Sequence, residues 1–236
     1  YASSWTVQDA MKEIISNALD TKQKVKMTQA NGFITIEDSG EGLSKQNLLF
    51  GSTNKDDSQI GMFGEGLKMA SLVLARNNRQ FKVVTSGFEY EAVIERDTQF
   101  NADVLVVYLN SSRKRKGTII SFKGTEEELV KAQNNFLTLN KSFKELDVDI
   151  FEPGGSLFVN GMFIQKMDSI FSYNFNVKAL LNRDRKSVDL DRAKIYVQKA
   201  LQGMTNKKAI EQYLRNKKSH VIEFQVYLTI PTKNKS

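Results

Sequence analysis

Three short stretches near the N-terminus combine acidic, amide and glycine residues at spacings that could bind a nucleotide. Glu13, Asn17 and Asp20 lie within one stretch, and glycines recur as Asp-x-Gly-x-Gly at 38–42 and Gly-x-x-Gly-x-Gly at 61–66. A carboxylate can polarise water, an amide oxygen can hold a hard cation, and glycine lets bare backbone approach a ligand. We therefore expect the three stretches to form one nucleotide site of an uncommon kind.

The acidic and amide residues lie in a segment with helical periodicity. Apolar residues recur at helical spacing over residues 6–20, and Thr6 with Asp9 has the spacing of an N-cap and its capping partner. At ~100° per residue, Glu13, Asn17 and Asp20 fall within about 60° of one another. The pattern predicts a helix that lies on a sheet and points polar groups into a cleft.

The glycine stretches lie next to predicted strands, a loop and a helix. Lys24–Thr28 and Phe33–Glu37 read as a hairpin around Asn31-Gly32, after which Asp38 begins the first glycine turn. Residues 44–60 form a long polar loop, which is typical of a functional lid. A helix is predicted from Gly64 to Arg76.

The next part of the chain has the period of two that is typical of strands. Four antiparallel strands are predicted at 81–86, 89–95, 104–109 and 118–122, followed by a helix over 125–143. The basic run 113–116 is expected in a solvated turn before the last strand.

A Pro-Gly-Gly sequence at 153–155 marks a boundary, so we predict domains at 1–146 and 147–236. The second part is expected to contain a hairpin around Asn160-Gly161, an aromatic stretch at 171–175, helices at 189–203 and 206–217, and a strand at 221–230.

Composition excludes several classes of site. The 236 residues contain no cysteine and one histidine, so disulfides, thiolate metal sites and histidine triads are not expected. The net charge of +7 is compatible with an anionic partner. No apolar run approaches the ~20 residues of a membrane helix, and the trimmed-looking N-terminus has no signal pattern, so we expect a cytoplasmic protein.

The glycine spacing excludes two common nucleotide motifs. Neither stretch fits a P-loop, since Lys68 follows Leu67 and not a glycine, and the dinucleotide-binding Gly-x-Gly-x-x-Gly is absent. A single Gly-x-Gly is usually only a turn. The order of the motifs carries the information here: an acidic-amide helix, a strand ending in Asp-x-Gly-x-Gly, a polar loop, and Gly-x-x-Gly-x-Gly opening a helix.

That order resembles the GHKL superfamily, the ATP-binding domain of Hsp90, DNA gyrase B, MutL, MORC proteins and histidine kinases. The resemblance covers about residues 5–125 and is greatest to the Hsp90/MutL/MORC-type branch. Residues 13–20 are similar to its N box, 38–42 and 61–66 to its two glycine boxes, and Gly117-Thr118 to its late Gly-Thr. It implies an α+β fold: a Bergerat-type two-layer α/β sandwich with a mixed, mostly antiparallel sheet and helices on one face, plus a smaller C-terminal α/β region.

The resemblance also implies cofactors and roles. The cofactors are ATP and Mg²⁺: Asn17 would bind Mg²⁺, Glu13 would polarise the attacking water, and Asp38 would accept the adenine amino group with help from Thr118. The remaining implied nucleotide-binding residues are Asp20, Gly40, Gly42, Gly61, Gly64, Gly66, Leu67 and Lys68. Lys68 has a surface lysine as its equally weighted alternative.

The C-terminal part resembles the MutL transducer domain only over the short segment 156–161. In gyrase B and MutL a transducer lysine reaches the γ-phosphate. Lys166, Arg183 and Arg185 are candidates for that role here, and surface charge is the alternative for all three. The region is short for a complete transducer followed by an effector domain.

We therefore predict an ATP-binding, slowly hydrolysing, Mg-dependent ATPase whose lid, residues 44–63, closes on Mg·ATP and switches a partner or dimer interface. Expected partners are ATP/ADP, a protein and a second copy on ATP binding, with nucleic acid as a candidate. The alternative is a nucleotide-gated or nucleotide-independent binding module for nucleic acid or a protein. A histidine-type protein kinase is disfavoured because no phosphoacceptor helix precedes the site.

Overall fold

Strands of alternating polarity and amphipathic helices build two compact units, Tyr1–Asn135 and Phe136–Ser236. The computed structural model describes residues 4–45, 66–137, 148–176, 180–181, 187–216 and 220–225. The domain boundary predicted at residue 146 falls in the segment 138–147, which lies outside the described residues. The assignment of an ATP-binding domain and a transducer-like region to the two parts stays a prediction.

The first helix of the N-terminal unit begins where a capping residue stops the extended chain. Helix α1, Val7–Asp20, starts after Thr6, whose hydroxyl accepts the Asp9 N–H at 3.2 Å while Asp9 accepts the Thr6 N–H at 2.9 Å. This capping box confirms the predicted start. Helix α2 spans Gly66–Arg76.

Helix α3, Glu126–Gln133, is shorter than the predicted 125–143. Its predicted start is confirmed, because Thr125 and Glu128 form a second capping box. The helix ends early because the Asn135 side-chain amide donates to the carbonyls of Lys131 and Ala132, at 2.8 and 3.2 Å. Those carbonyls therefore need no further helical N–H.

Six strands form one sheet in the N-terminal unit, in the order β1-β2-β6-β3-β4-β5, and every neighbouring pair is antiparallel. The strands are β1 Val25–Ala30, β2 Phe33–Asp38, β3 Phe81–Thr85, β4 Phe88–Asp97, β5 Ala102–Ser111 and β6 Thr118–Lys123. Asn31 and Gly32 both have positive φ, 52° and 78°, as the predicted β1–β2 turn requires. The predicted α+β class is thus confirmed.

Helices α1 and α2 pack against one face of this sheet. The register places buried residues of β2, β6 and β3 side by side on that face. Ile36, Ile120 and Val83 form one apolar row across the three strands. Two residues further along, the same face carries Asp38, Thr118 and Thr85 instead, all buried. The apolar core therefore ends in a row of polar side chains at one end of the helix–sheet interface.

The C-terminal unit contains a four-stranded sheet in the order β7-β10-β8-β9, in which β10 is parallel to β8. Its elements are β7 Val148–Phe151, β8 Ser156–Val159, β9 Met162–Lys166, β10 Ser172–Phe175, α4 Leu190–Gln202 and α5 Lys207–Arg215. The hairpin around Asn160-Gly161 and both helices confirm the sequence-based predictions.

The strand predicted over 221–230 is wrong in its first part. Ile222–Phe224 forms a 3-10 helix, and residues 226–230 lie outside the described residues. The buried Glu223 side chain explains the turn, because its Oε1 accepts the N–H groups of Ile170 and Phe171 and the Tyr173 hydroxyl. The apolar pattern of the sequence does not indicate that the Glu223 carboxylate is buried and hydrogen-bonded.

Within the described ranges, no helix combines the length and apolar character that crossing a membrane requires.

Candidate functional site

The polar row at the end of the sheet follows from the strand period. Asp38 is the last residue of β2, Thr118 the first of β6 and Thr85 the last of β3. Asp38 pairs in register with Thr118, and Thr118 with Thr85. Because side chains alternate between faces, all three share the helix-covered face with the apolar core residues before them.

Asp38 is a buried carboxylate surrounded by donors. Its Oδ1 accepts the Gly40 N–H at 2.8 Å, and Thr118 contributes hydrogen bonds from its backbone and its hydroxyl. Burial raises the pKa of Asp38 above its ordinary value, and this outweighs the lowering by Gly40, Thr118 and the positive charge of Arg115. A hydrogen-bond donor on a ligand would stabilise the charged carboxylate here.

Thr85 is the residue that the sequence analysis missed. Its fully buried hydroxyl accepts the Leu43 N–H at 2.8 Å, donates to the Gly117 carbonyl at 3.2 Å, and lies 3.3 Å from the Thr118 hydroxyl. It therefore ties the first glycine turn to the start of β6. The available signal was the alternation Phe81, Val83, Thr85, which ends an apolar face with a hydroxyl.

Gly42 allows this turn to lie against the β3–β4 corner. Its φ is +90°, and a Cβ there would come within 2.3 Å of Ser86 Oγ and 2.7 Å of Thr85 Oγ1. Any other residue would be both strained in the backbone and too close to these hydroxyls. The glycine requirement seen in the sequence thus has a steric cause.

The polar residues of α1 share one face, as predicted. Glu13 and Asp20 are buried and Asn17 is half-buried. The Asn17 amide nitrogen donates to Glu13 Oε1 at 3.2 Å across one helical turn. Because the nitrogen faces Glu13, the Asn17 amide oxygen faces away from it.

The start of α2 lies directly on Glu13. A Cβ at Gly66 would stand 1.7 Å from Glu13 Oε1, so a side chain at the first residue of this helix would have to displace the Glu13 carboxylate. Lys68, in the first turn of α2, is buried, which contradicts the alternative prediction of an exposed surface lysine. The neighbouring Leu67 is half-buried. The acidic and amide residues of α1 and the last glycine of the Gly-x-x-Gly-x-Gly stretch therefore come together.

The end of α1 meets the first glycine turn. A Cβ at Gly40 would lie 2.9 Å from both Asp38 Oδ1 and a Thr21 methyl, one residue beyond the helix. At 1.5 Å rise per residue, Glu13 stands about 12 Å along α1 from Thr21. One side of α1 therefore runs from the polar row of Asp38, Thr118 and Thr85, called the Asp38 row below, to the start of α2.

Several predicted residues cannot be placed. Gly61, Gly64 and most of the predicted lid 44–63 lie outside the described residues, as do Arg183 and Arg185. Lys166 belongs to the C-terminal unit, where its Nζ donates to Ser156 Oγ at 3.0 Å. Their roles, and those of the residues described above, stay predictions.

Replacing Thr85 by Val should weaken adenine-nucleotide binding by about tenfold, because the Leu43 N–H loses its acceptor and Thr118 a neighbouring hydroxyl. Calorimetric titration measures the affinity. Thr28→Val, on an exposed position of β1, is the matched control and should change nothing. An equal affinity in Thr85→Val would show that this hydroxyl does not position the site.

The raised pKa of Asp38 predicts a pH-dependent stability difference. The folded state binds this proton more tightly than the unfolded chain, so the wild type loses unfolding free energy relative to Asp38→Asn as pH rises through the folded pKa. Without nucleotide, the variant should match the wild type below the ordinary value of 3.8 and exceed it at neutral pH. Urea denaturation from about pH 3 to pH 8 measures this. Asp191→Asn, on an exposed side chain, is the control, and a pH-independent difference would contradict the burial effect.

Comparisons with known proteins give a family match for the N-terminal part of the chain. Residues 5–121 match the family model described as histidine kinase-, DNA gyrase B- and HSP90-like ATPases. A relative from Mycoplasma pneumoniae, described as an uncharacterized protein, is 26% identical over 233 residues, which cover 87% of this chain and 94% of the relative.

Solved structures that the chain matches include two crystal structures of the ATPase region of Saccharomyces cerevisiae topoisomerase II, one of them bound to ICRF-187 (dexrazoxane). Each has a TM-score of 0.43 and 14% identity, and the match covers 67% of this chain and 62% of the solved chain. The N-terminal domain of a DNA repair protein has a TM-score of 0.29 and 18% identity, with 53% and 39% covered. The match thus spans less than two thirds of each of these solved chains. With its motifs in order and residues 5–121 matching the family model, the N-terminal unit of this chain belongs to the GHKL superfamily of ATPase domains.

Proposed function

We propose that the N-terminal unit binds Mg·ATP and hydrolyses it slowly, and that it belongs to the Hsp90/MutL/MORC-type branch. The main support is that one helix, one end of the sheet and the start of a second helix lie next to one another. The polar face of α1 lies between the Asp38–Thr118–Thr85 row and the glycine start of α2. Both ends of this path are lined by groups that a nucleotide could use.

The adenine would be recognised at the sheet end. Asp38 is buried, and its carboxylate would accept the adenine amino group while Thr118 holds the carboxylate in place. Thr85 would keep Thr118 and the backbone at Leu43 in position. Since burial disfavours the charged carboxylate, an amino donor at this point would offset the cost of its desolvation.

The triphosphate would lie toward α2. Asn17 would hold Mg²⁺ through its amide oxygen, which faces away from Glu13. When bound, Mg²⁺ would neutralise phosphate charge as the terminal phosphoryl group leaves. The backbone N–H groups at the start of α2, together with Lys68, would meet the phosphates, because helix N-termini favour anions.

Glu13 would polarise the attacking water. Its carboxylate is buried, is held by the Asn17 amide and is covered by Gly66, so its position is well defined. A carboxylate placed one helical turn from the metal ligand can accept a proton from water beside the terminal phosphate. The residues of this unit therefore suit both Mg·ATP and its hydrolysis.

We further propose that residues 44–63 close over bound Mg·ATP and that closure switches an interface with a protein partner or a second copy. Support comes from the length and polarity of this segment and its place between the two glycine boxes.

Calorimetry with four ligands tests the nucleotide proposal. Mg·ATP and Mg·ADP should bind saturably, and ATP should bind more weakly when EDTA removes Mg²⁺. Mg·GTP should bind at least about 100-fold more weakly, because a guanine oxygen would face the Asp38 carboxylate in place of an amino donor. Equal affinities for ATP and GTP, or no saturable ATP binding, would contradict the proposal.

A second candidate function is supported by the C-terminal unit. A cavity of about 840 Å³ is lined by the exposed Lys199 and Lys208 and the half-buried Tyr196 among others, a cationic and aromatic combination that suits nucleic acid. The basic run 113–116 was predicted to be a solvated turn. Its Arg115 guanidinium instead forms an ion pair with the Glu37 carboxylate at 2.7 Å, so this residue is not simply solvated. Salt-dependent DNA binding would favour a nucleic-acid-binding module if ATP does not change the affinity and the double variant Lys199→Ala/Lys208→Ala does not bind. Absence of DNA binding would dismiss it.

A further inference from the structure

Strand β5, Ala102–Ser111, is an edge strand with an unusually apolar sequence. Among the described residues it pairs only with β4, over ten consecutive positions. Its central run Val-Leu-Val-Val-Tyr-Leu, residues 104–109, contains no charge, proline or glycine. Val107, Tyr108 and Leu109 are 39%, 50% and 46% exposed.

Both faces of β5 are apolar. The register with β4 puts Leu105, Val107 and Leu109 on the face of buried Tyr90 and Ala92, where the helices pack. The same register puts Val104, Val106 and Tyr108 on the opposite face. A strand with one face in water normally alternates apolar and polar residues, whereas apolar residues on both faces are typical of a strand whose two faces are both covered. A long, exposed edge strand of this apolar kind is a template for pairing with another chain.

The opposite edge of the sheet shows how this protein protects an edge. Strand β1 carries exposed Lys26 and Thr28 between half-buried residues. Lysine on an edge strand opposes pairing with another chain, because its ammonium group would lose water there. Strand β5 has no such residue between Asp103 and Ser111. Of the two edge strands of the described sheet, β5 is therefore the one without this protection.

We propose that β5 pairs antiparallel with β5 of a second copy of this chain, about a twofold axis through Val107, independently of nucleotide. Directly opposite residues of an antiparallel pair point to the same face. An axis at Val107 sets Leu105 opposite Leu109 of the second copy, and Val106 opposite its Tyr108. The helix-covered faces of the two sheets then lie on the same side, and apolar residues meet on both faces.

The sequence of β5 favours a second copy over an unrelated strand. Apolar residues stand opposite apolar residues from Leu105 to Leu109, as a closed twofold dimer requires and an arbitrary peptide does not. At the ends of this run Val104 stands opposite Asn110, and Asp103 opposite Ser111, so no like charges meet. The ladder would span about 30 Å of main-chain hydrogen bonds, at 3.4 Å per residue.

Single cysteines test the register directly, because the natural chain has none. On mild oxidation of the full chain, Val107→Cys should form a covalent dimer at least about tenfold faster than Phe100→Cys, since only the thiol introduced on the axis would face its own copy. Phe100 is the control because it is 76% exposed in the turn before β5. Equal rates for the two variants would overturn the proposed register.

Sedimentation velocity of the full chain over about 1 to 200 μM tests the dimer itself. The wild type should dimerise with or without Mg·ATP, and Val107→Lys or Leu109→Lys should raise the dissociation constant at least about tenfold. Thr28→Lys, on β1, should not change it, and circular dichroism checks that each variant is folded. A chain that stays monomeric, a dimer that needs ATP, or a dimer unchanged in folded lysine variants would overturn the proposal. If the chain stays monomeric, an extended segment of another protein becomes the candidate that pairs with β5.

Discussion

Replacing Glu13 by Gln should lower ATP turnover by about 10²- to 10⁴-fold and leave the Mg·ATP affinity within about threefold of wild type. Glutamine keeps the shape of the side chain beside Gly66, and its Oε1 can still accept the Asn17 amide at the position now 3.2 Å away. It cannot accept a proton from water. The rate of ATP hydrolysis is measured under single-turnover conditions, and the Mg·ATP affinity by calorimetry.

Glu127→Gln in α3 is the matched control, because it makes the same chemical change at an exposed position. It should have wild-type turnover. Undiminished hydrolysis in Glu13→Gln would remove Glu13 from the role of base. A parallel loss of affinity would instead assign it to the structure of the nucleotide site.

Replacing Asp38 by Ala should weaken ATP and ADP binding alike, by roughly 10- to 100-fold, because both ligands carry the same adenine. The variant lacks the acceptor for the adenine amino group and also leaves the Gly40 N–H, now 2.8 Å from Oδ1, without its partner. Inorganic triphosphate lacks the base, so any weak binding of it should be unchanged. Calorimetric titration of the three ligands separates these effects.

Asp191→Ala, whose side chain is 92% exposed, controls for loss of a carboxylate. Thermal denaturation shows whether each variant is folded. A folded Asp38→Ala protein with wild-type ATP affinity would mean that adenine is not read at this carboxylate. Loss of triphosphate binding together with ATP binding would indicate a general collapse of the site.

Much of the fold could be predicted because its signals are local. The capping box at Thr6 and the Asn31-Gly32 turn each depend on side chains within a few residues, and both are present in the structure. The four-strand pattern from Phe81 to Phe122 follows from alternation alone. The end of α3 and the 3-10 helix at Glu223 could not be predicted, since side-chain hydrogen bonds override the apolar pattern at both places.

The candidate site was predictable where a residue type is unusual and not where it is common. The glycines at 42 and 66 stand out in a sequence, and the structure supplies their steric reason. Thr85 is an ordinary strand residue until β3 is placed beside β6, which brings its hydroxyl 3.3 Å from that of Thr118. Strand order is long-range information that one sequence does not contain. The apolar edge β5 was likewise visible as a strand but not as an edge.

A crystal structure of the chain with Mg²⁺ and a non-hydrolysable ATP analogue would show directly where the nucleotide binds. We expect the adenine amino group at Asp38, the metal at the Asn17 amide oxygen, and a water between Glu13 and the terminal phosphate. A nucleotide bound anywhere other than between α1, α2 and the Asp38 row would contradict this expectation.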